Sequence, residues 1–258
     1  MPVLTPASIN AAVVAAEYGV RGELAIAAEK LRRQLLDKPG TLPFERITSC
    51  NIGNPQQLGQ VPLTFFRQML ALLEYPSLIT AARHDKCKGL FFGDAVERVE
   101  SLISSLDSGI GAYTHSQGAL SIRQAVASFI AKRDSTPPPN PDNIFLTNGA
   151  SEAVRMTLQC IIADENVGIL VPVPQYPLYS ATITMLRGRL VPYYLCEDQG
   201  WMLDIDELKT ALETARAAGT DVRALVVINP GNPSGGCLSK DILQSIVQFC
   251  RSNSLVLL

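Results

Sequence analysis

Residues Ala224-Leu-Val-Val-Ile-Asn-Pro-Gly-Asn-Pro-Ser-Gly-Gly236 decide the fold. The uninterrupted apolar run Ala224–Ile228 reads as a strand buried on both faces. Eight consecutive turn-forming residues follow it, more than a plain connection requires. The two Asn-Pro pairs hold Asn229 and Asn232 extended, which aims the Asn232 amide into the crevice beyond the strand end. In open α/β sheets ligands bind in that crevice, outside the carboxyl ends of the strands.

Working outward, strands and helices alternate from about residue 118. Ile122, Val126, Phe129 and Ile130 mark one helix, and Pro137-Pro-Pro-Asn-Pro141 reads as a stiff connector after it. A short strand is expected over 143–147, then a helix with Val154, Leu158, Ile161 and Ile162 apolar. Further strands are expected over 168–172 and 189–194. Asp204 and Glu207 predict a capping box for the next helix, which carries Leu208, Ala211, Leu212 and Ala215. Ser239 predicts the cap of a last helix with Leu243, Ile246, Val247 and Cys250 facing inward, followed by a strand over 255–258. This alternation predicts an α/β layered architecture with a largely parallel sheet. The first hundred residues read differently: helices over 20–37, around 65–73 and over 94–106, with Gly and Pro breaking 51–62.

Composition sets bounds. In 258 residues, 22 Lys plus Arg face 24 Asp plus Glu, a formal charge of -2 that supplies no electrostatic footprint for nucleic acid. No apolar stretch reaches the ~20 residues of a membrane span, and no secretory signal opens the chain, so a soluble, intracellular protein is expected. The six cysteines (Cys50, Cys87, Cys160, Cys196, Cys237, Cys250) form no C-x-x-C pair, and Cys160 and Cys250 are expected to be buried free thiols. Only His84 and His115 exist, too few for a histidine-rich metal site. His115, in a Gly-flanked loop, either lines a pocket or is an exposed loop side chain.

Two more loops leave strand ends. In Thr147-Asn-Gly-Ala-Ser-Glu152, Gly149 permits close backbone approach, and the following amides with the Ser151 hydroxyl can cradle an anion, or merely cap a helix. In Pro172-Val-Pro-Gln-Tyr-Pro-Leu-Tyr179, prolines bracket Tyr176, whose ring either stacks on a flat heteroaromatic ligand or packs over the core edge. An anion cradle, a ring and an amide together suit a phosphorylated planar cofactor. Pyridoxal phosphate matches; a nucleotide would too, but neither G-x-G-x-x-G after a first strand nor G-x-x-x-x-G-K-[ST] occurs. A methyltransferase reading, which places an Asn-Pro-Pro motif after a buried strand, lacks its glycine-rich loop and the acidic end of its second strand.

Asn229-Pro-Gly-Asn-Pro-Ser-Gly235, Asn148-Gly-Ala-Ser-Glu-Ala-Val154 and Pro174-Gln-Tyr-Pro-Leu-Tyr-Ser-Ala181 together resemble the class-I, fold-type I pyridoxal-phosphate-dependent aminotransferases. Glu17-Tyr-Gly-Val-Arg-Gly22, Asn51-Ile-Gly-Asn54 and Gly111-Ala-Tyr113 resemble the alanine aminotransferase branch, and the resemblance runs from about Leu4 to Leu258. It implies an L-alanine:2-oxoglutarate aminotransferase giving pyruvate and glutamate by a ping-pong mechanism, in a cytoplasmic homodimer with a mitochondrial form as the alternative. It implies that Gly149, Ala150 and Ser151 hold the cofactor phosphate, Tyr176 stacks on the pyridine and Asn232 bonds the phenolic oxygen. Tyr113 would reach the phosphate of the neighbouring subunit, and Gly53 would lie beside the substrate carboxylate. The family's cofactor-anchoring lysine lies beyond the last position matched here; Lys240 reads as a solvated helix lysine. Hence no catalytic residue is assigned, and the chain is expected to be an N-terminal fragment, inactive alone, its sheet truncated before completion. Residues 1–115 are expected to form an N-terminal arm and part of a small domain, and 116–258 the first part of the large cofactor-binding domain. The alternatives are a non-catalytic fragment that binds a full-length partner, or another amino-acid aminotransferase.

Overall fold

The computed structural model describes residues 5, 7–19, 22–50, 52–84, 89–106 and 109–258. Leu4, Val20, Arg21, Asn51 and Cys87, singled out above, lie outside the described residues. The chain divides into two compact units, residues 1–52 with 149–258, and residues 53–148.

The first unit opens with α1 (Ala11–Ala15), capped by Asn10, whose Oδ1 accepts from the Ala12 amide at 3.0 Å. Next comes α2 (Glu23–Asp37), which buries none of its residues. The second unit follows with α3 (Thr64–Glu74), α4 (Ser77–Arg83), α5 (Gly93–Ser104) and α6 (Leu120–Asp134). Leu72, Val96 and Val99 are its buried apolar centre. Arg123 on α6 is buried and donates to the carbonyls of Gly118 and Pro141 and to Asp142. Of the apolar face expected on α6, Ile122 and Phe129 are exposed; Arg123 and Ala127 are the buried positions instead.

The expected strand over 143–147 is absent. Pro141–Asn143 make a single 3-10 turn, and Leu146 donates only one backbone bond, to Gln117. A β-prone run becomes a strand only when a neighbour pairs with it, and none of the described strands lies against this one.

The chain then returns to the first unit through α7 (Ala150–Ile161), β1 (Val167–Val173), α8 (Leu178–Met185), β2 (Arg189–Tyr194), α9 (Ile205–Ala217), β3 (Asp221–Leu225), α10 (Lys240–Asn253) and β4 (Val256–Leu257). The four strands pair in parallel in the order β2-β1-β3-β4. Successive residues of β1 point to opposite faces. Val167, Ile169 and Val171 join Leu158 and Ile162 of the α7 segment and Ile183 of α8. Leu170 joins Leu208 and Leu212 of α9 and Ile246 and Phe249 of α10. Each fully buried aliphatic side chain contributes about 1.5–3 kcal/mol, and helices cover both faces, so the layers hold. The register slips between Gly168 and Ile169, whose partners are Val222 and Ala224. Arg223 is the extra residue, and this bulge is why Val222 and Leu225 share one face.

Two faces differ from expectation. On α10 the buried residues are Ile246, Phe249 and Cys250, while Leu243 and Val247 are exposed. On α7, Cys160 is exposed, because it stands two residues, about 200° of helix, from buried Leu158. Cys250 is buried, and burial pushes its thiol pKa up. Asp204 caps α9 as expected, accepting from the Asp206 amide, but Glu207 accepts from the Tyr194 amide of β2 and does not close the box.

Candidate active site

β1 and β3 are hydrogen-bonded parallel neighbours, so the loops that leave their carboxyl ends, 174–177 and 229–239, emerge on the same side of the sheet. A helix that feeds a parallel strand through a short turn runs antiparallel to it, which brings the N-terminus of α7 to that side as well. The three stretches selected in the sequence thus converge within one unit.

At the α7 terminus Gly149 has φ 84°, a left-handed conformation that glycine adopts without strain. Apart from its chain neighbours, no atom of the described residues lies within 4 Å of where a Cβ would stand, and none of their side chains caps the helix. Ser151 is exposed at the positive end of this twelve-residue helix, and of the first-turn amides that of Glu152 donates to the Gly149 carbonyl at 3.2 Å.

After β1, Tyr176 is half-buried between Pro174 and Pro177. Pro177 restricts the Tyr176 backbone to extended geometry. Its hydroxyl lies 2.6 Å from that of Tyr18, and the two rings meet edge to face at 77° with centroids 6.2 Å apart. Beside it, Gln175 Oε1 is buried with no hydrogen-bond partner among the described residues, an acceptor that a ligand N–H or O–H would satisfy. Three residues after Tyr176, burial raises the pKa of Tyr179 above its ordinary value.

The 229–236 loop carries its own bonds. Gly231 N–H donates to the Gly236 carbonyl at 2.8 Å, Gly235 N–H to that of Gly231 at 2.7 Å, and Leu238 N–H to Asn229 Oδ1 at 3.0 Å. Asn232 is exposed, and it shares with Pro174, Tyr193 and Trp201 the wall of a cavity of about 20 Å³. That is room for one water and not for a ring. Trp201 has φ 64°, a left-handed value that is uncommon for a bulky residue.

Tyr113 and Gly53 belong to the other unit, where both are exposed. There Tyr113, Thr114 and His115 line an open cleft of about 570 Å³, and His115 is an exposed loop side chain on its wall. Lys240 is the exposed first residue of α10. Sequence reasoning assigned no role to Tyr18, Gln175 or Trp201. Tyr18 stood within a quoted motif, but nothing in its spacing pointed to a partner 158 residues away. Among the described residues no cluster of His, Cys, Asp and Glu could hold a metal, and no helix is long and apolar enough to cross a membrane.

Residues 89–258 match the family of aminotransferases of class I and II. The chain belongs to this family. It is 52% identical over 252 residues to alanine aminotransferase 2 of Panicum miliaceum, covering 97% of this chain and 52% of that protein. It is 49% identical over 253 residues to the mitochondrial alanine aminotransferase 1 of Arabidopsis thaliana, covering 97% of this chain and 46% of the relative. Among solved structures, an alanine aminotransferase from Pyrococcus furiosus superposes with a TM-score of 0.69 at 20% identity, over 96% of this chain and 50% of that one. The fold is thus that of the fold-type I aminotransferases, and the chain spans about half the length of the curated relatives it matches.

Proposed function

We propose that this chain carries the cofactor-binding portion of a pyridoxal 5'-phosphate-dependent aminotransferase whose substrates are L-alanine and 2-oxoglutarate. The observation that carries the reading is the convergence of the α7 terminus, the Tyr176 loop and the Asn232 loop at one side of a parallel sheet, in a chain of this family. The similarity to two proteins named alanine aminotransferase supports the substrates.

The residues fit the cofactor. The space over Gly149 and the uncapped first turn suit a dianionic phosphate, with donors from Ala150, Ser151 and the Ser151 hydroxyl. The Tyr176 ring would stack on the pyridine, and the Asn232 amide would donate to the phenolic oxygen, holding it as an anion. When bound, the cofactor supplies an electron sink for the carbanion left as the substrate loses its α-proton. Gly53 would lie beside the substrate carboxylate, and Tyr113 would reach the phosphate held by a second copy in a homodimer. Residues 1–115 would then be the N-terminal arm with part of the small domain, and 116–258 the first part of the cofactor-binding domain. A cytoplasmic location is proposed, with the mitochondrion as second reading, since one relative is named mitochondrial.

Lys240, the lysine nearest the Asn232 loop, is an exposed helix residue, and these 258 residues alone are expected to bind the cofactor without turning over substrate. Two measurements test the reading. Titration with pyridoxal phosphate, followed by Trp201 emission, should saturate, and N232A should weaken it. Appending the second half of the Panicum miliaceum relative should give alanine:2-oxoglutarate transfer in preference to aspartate transfer. Absence of binding, or turnover by the chain alone, would contradict it. A second reading, binding to a full-length relative, is favoured by exposed Leu24 and Leu36 on α2 and Val256 and Leu257 on β4. Co-expression and pull-down with such a relative tests it.

A further inference from the structure

We propose that Tyr18 is a positioning residue for Tyr176: the N-terminal segment holds the stacking tyrosine through a hydroxyl–hydroxyl hydrogen bond and orients its ring plane through the edge-to-face contact. The proposal rests on the reading of Tyr176 as the ring that faces the cofactor.

The contact is specific. An O···O distance of 2.6 Å lies at the short end of the range for hydroxyl pairs, and either hydroxyl can be the donor. The edge-to-face angle of 77° is the arrangement that ring quadrupoles favour. Tyr18 is 41% exposed, so burial does not explain why it stands there. The Tyr176 backbone is already restricted by Pro177, which leaves its side-chain torsions as the remaining freedom. Tyr18 restrains them twice, χ1 through the hydroxyl bond and χ2 through the ring contact.

The segment that brings Tyr18 is itself anchored. α1 packs against α8, the helix that begins two residues after Tyr176, and Ala12 of α1 is buried. Asn10 caps α1, and Ala16–Gly19 continue from it to the tyrosine pair. The N-terminal segment and the strand-end loop are therefore joined at two places, the α1–α8 packing and the phenol pair. A ring whose plane is set before the ligand arrives spares the ligand the cost of ordering it.

The test uses the 258-residue chain with pyridoxal 5'-phosphate and, separately, pyridoxal without phosphate, followed by Trp201 quenching and by the induced circular dichroism of the bound chromophore. Y18F should weaken binding of both ligands by about two- to tenfold, the worth of one hydrogen bond. It should also lower the dichroism per bound cofactor, and Y18A should lower it further. In a Y176F background, Y18F should change neither. S151A should weaken only the phosphorylated ligand. If Y176A weakens binding while Y18F and Y18A match the unaltered chain in affinity and dichroism, the role of Tyr18 is overturned and the cofactor reading stands. If Y176A has no effect, or the unaltered chain binds neither ligand, both are overturned.

Discussion

The hydroxyl of Tyr193 on β2 donates to the carbonyl of Val226, just past β3, at 2.8 Å, joining the two strands that flank β1. The reason lies in the ladder. Val226 donates its own N–H to Leu170, so its carbonyl faces position 172 of β1, which is a proline without an N–H. The phenol replaces the missing backbone donor. Burial raises the Tyr193 pKa well above the ordinary 10.0, with the nearby Cys250 adding to the rise.

Y193F therefore removes the only donor that the described residues give to a buried carbonyl and should lower stability by about 1–3 kcal/mol, read from urea unfolding at neutral pH. The sign of the pH dependence follows from the raised pKa. The neutral phenol's contribution is complete below the unfolded value near 10.0 and is lost as pH rises toward the folded value. Stability should fall above that pH, with a shallower fall in Y193F. Equal slopes would count against the assignment.

Gly149→Val places a β-branched residue at φ 84° and fills the space over the first turn of α7. Stability should drop by about 1–2 kcal/mol, and affinity for pyridoxal phosphate by roughly tenfold or more. Affinity for unphosphorylated pyridoxal should change little, and a calorimetric titration of both ligands separates the two effects.

The α10 face has its own test. I246A should cost about 2–5 kcal/mol and V247A no more than about 0.5 kcal/mol in thermal or denaturant unfolding. Comparable costs for the two would restore the face expected from the sequence, which had both inward.

Ser239 Oγ accepts from the Ile242 amide at the start of α10. S239A should destabilise by about 1 kcal/mol, and S239D should recover most of it, measured as a shift in unfolding midpoint.

The α10 example shows why some of the fold was legible in the sequence and some was not. Its existence and cap were readable, but Ile242 and Leu243, like Ile246 and Val247, are adjacent apolar pairs, so the helix phase was open by one residue. β2 was legible to the residue, Arg189–Tyr194 following directly on Gly188. Residues 143–147 show the opposite limit: local propensity named a strand, but a strand needs a partner that no local pattern supplies. The loops after β1 and β3 were readable because their prolines and asparagines act within a few residues of themselves. Tyr18 was not, since its partner is reached only through tertiary packing of α1 on α8.

The self-bonded loop after β3 has a kinetic consequence. Gly231, Gly235 and Leu238 donate their amides inside the loop, although Asn229, Asn232 and Pro233 stand in solvent. Those three amides should exchange with deuterium slowly, on the clock of the sheet and not of a surface turn. Asn232 would then wait for its ligand on a support as stiff as the strand beneath it, and encounter, not loop rearrangement, would set how fast the ligand arrives.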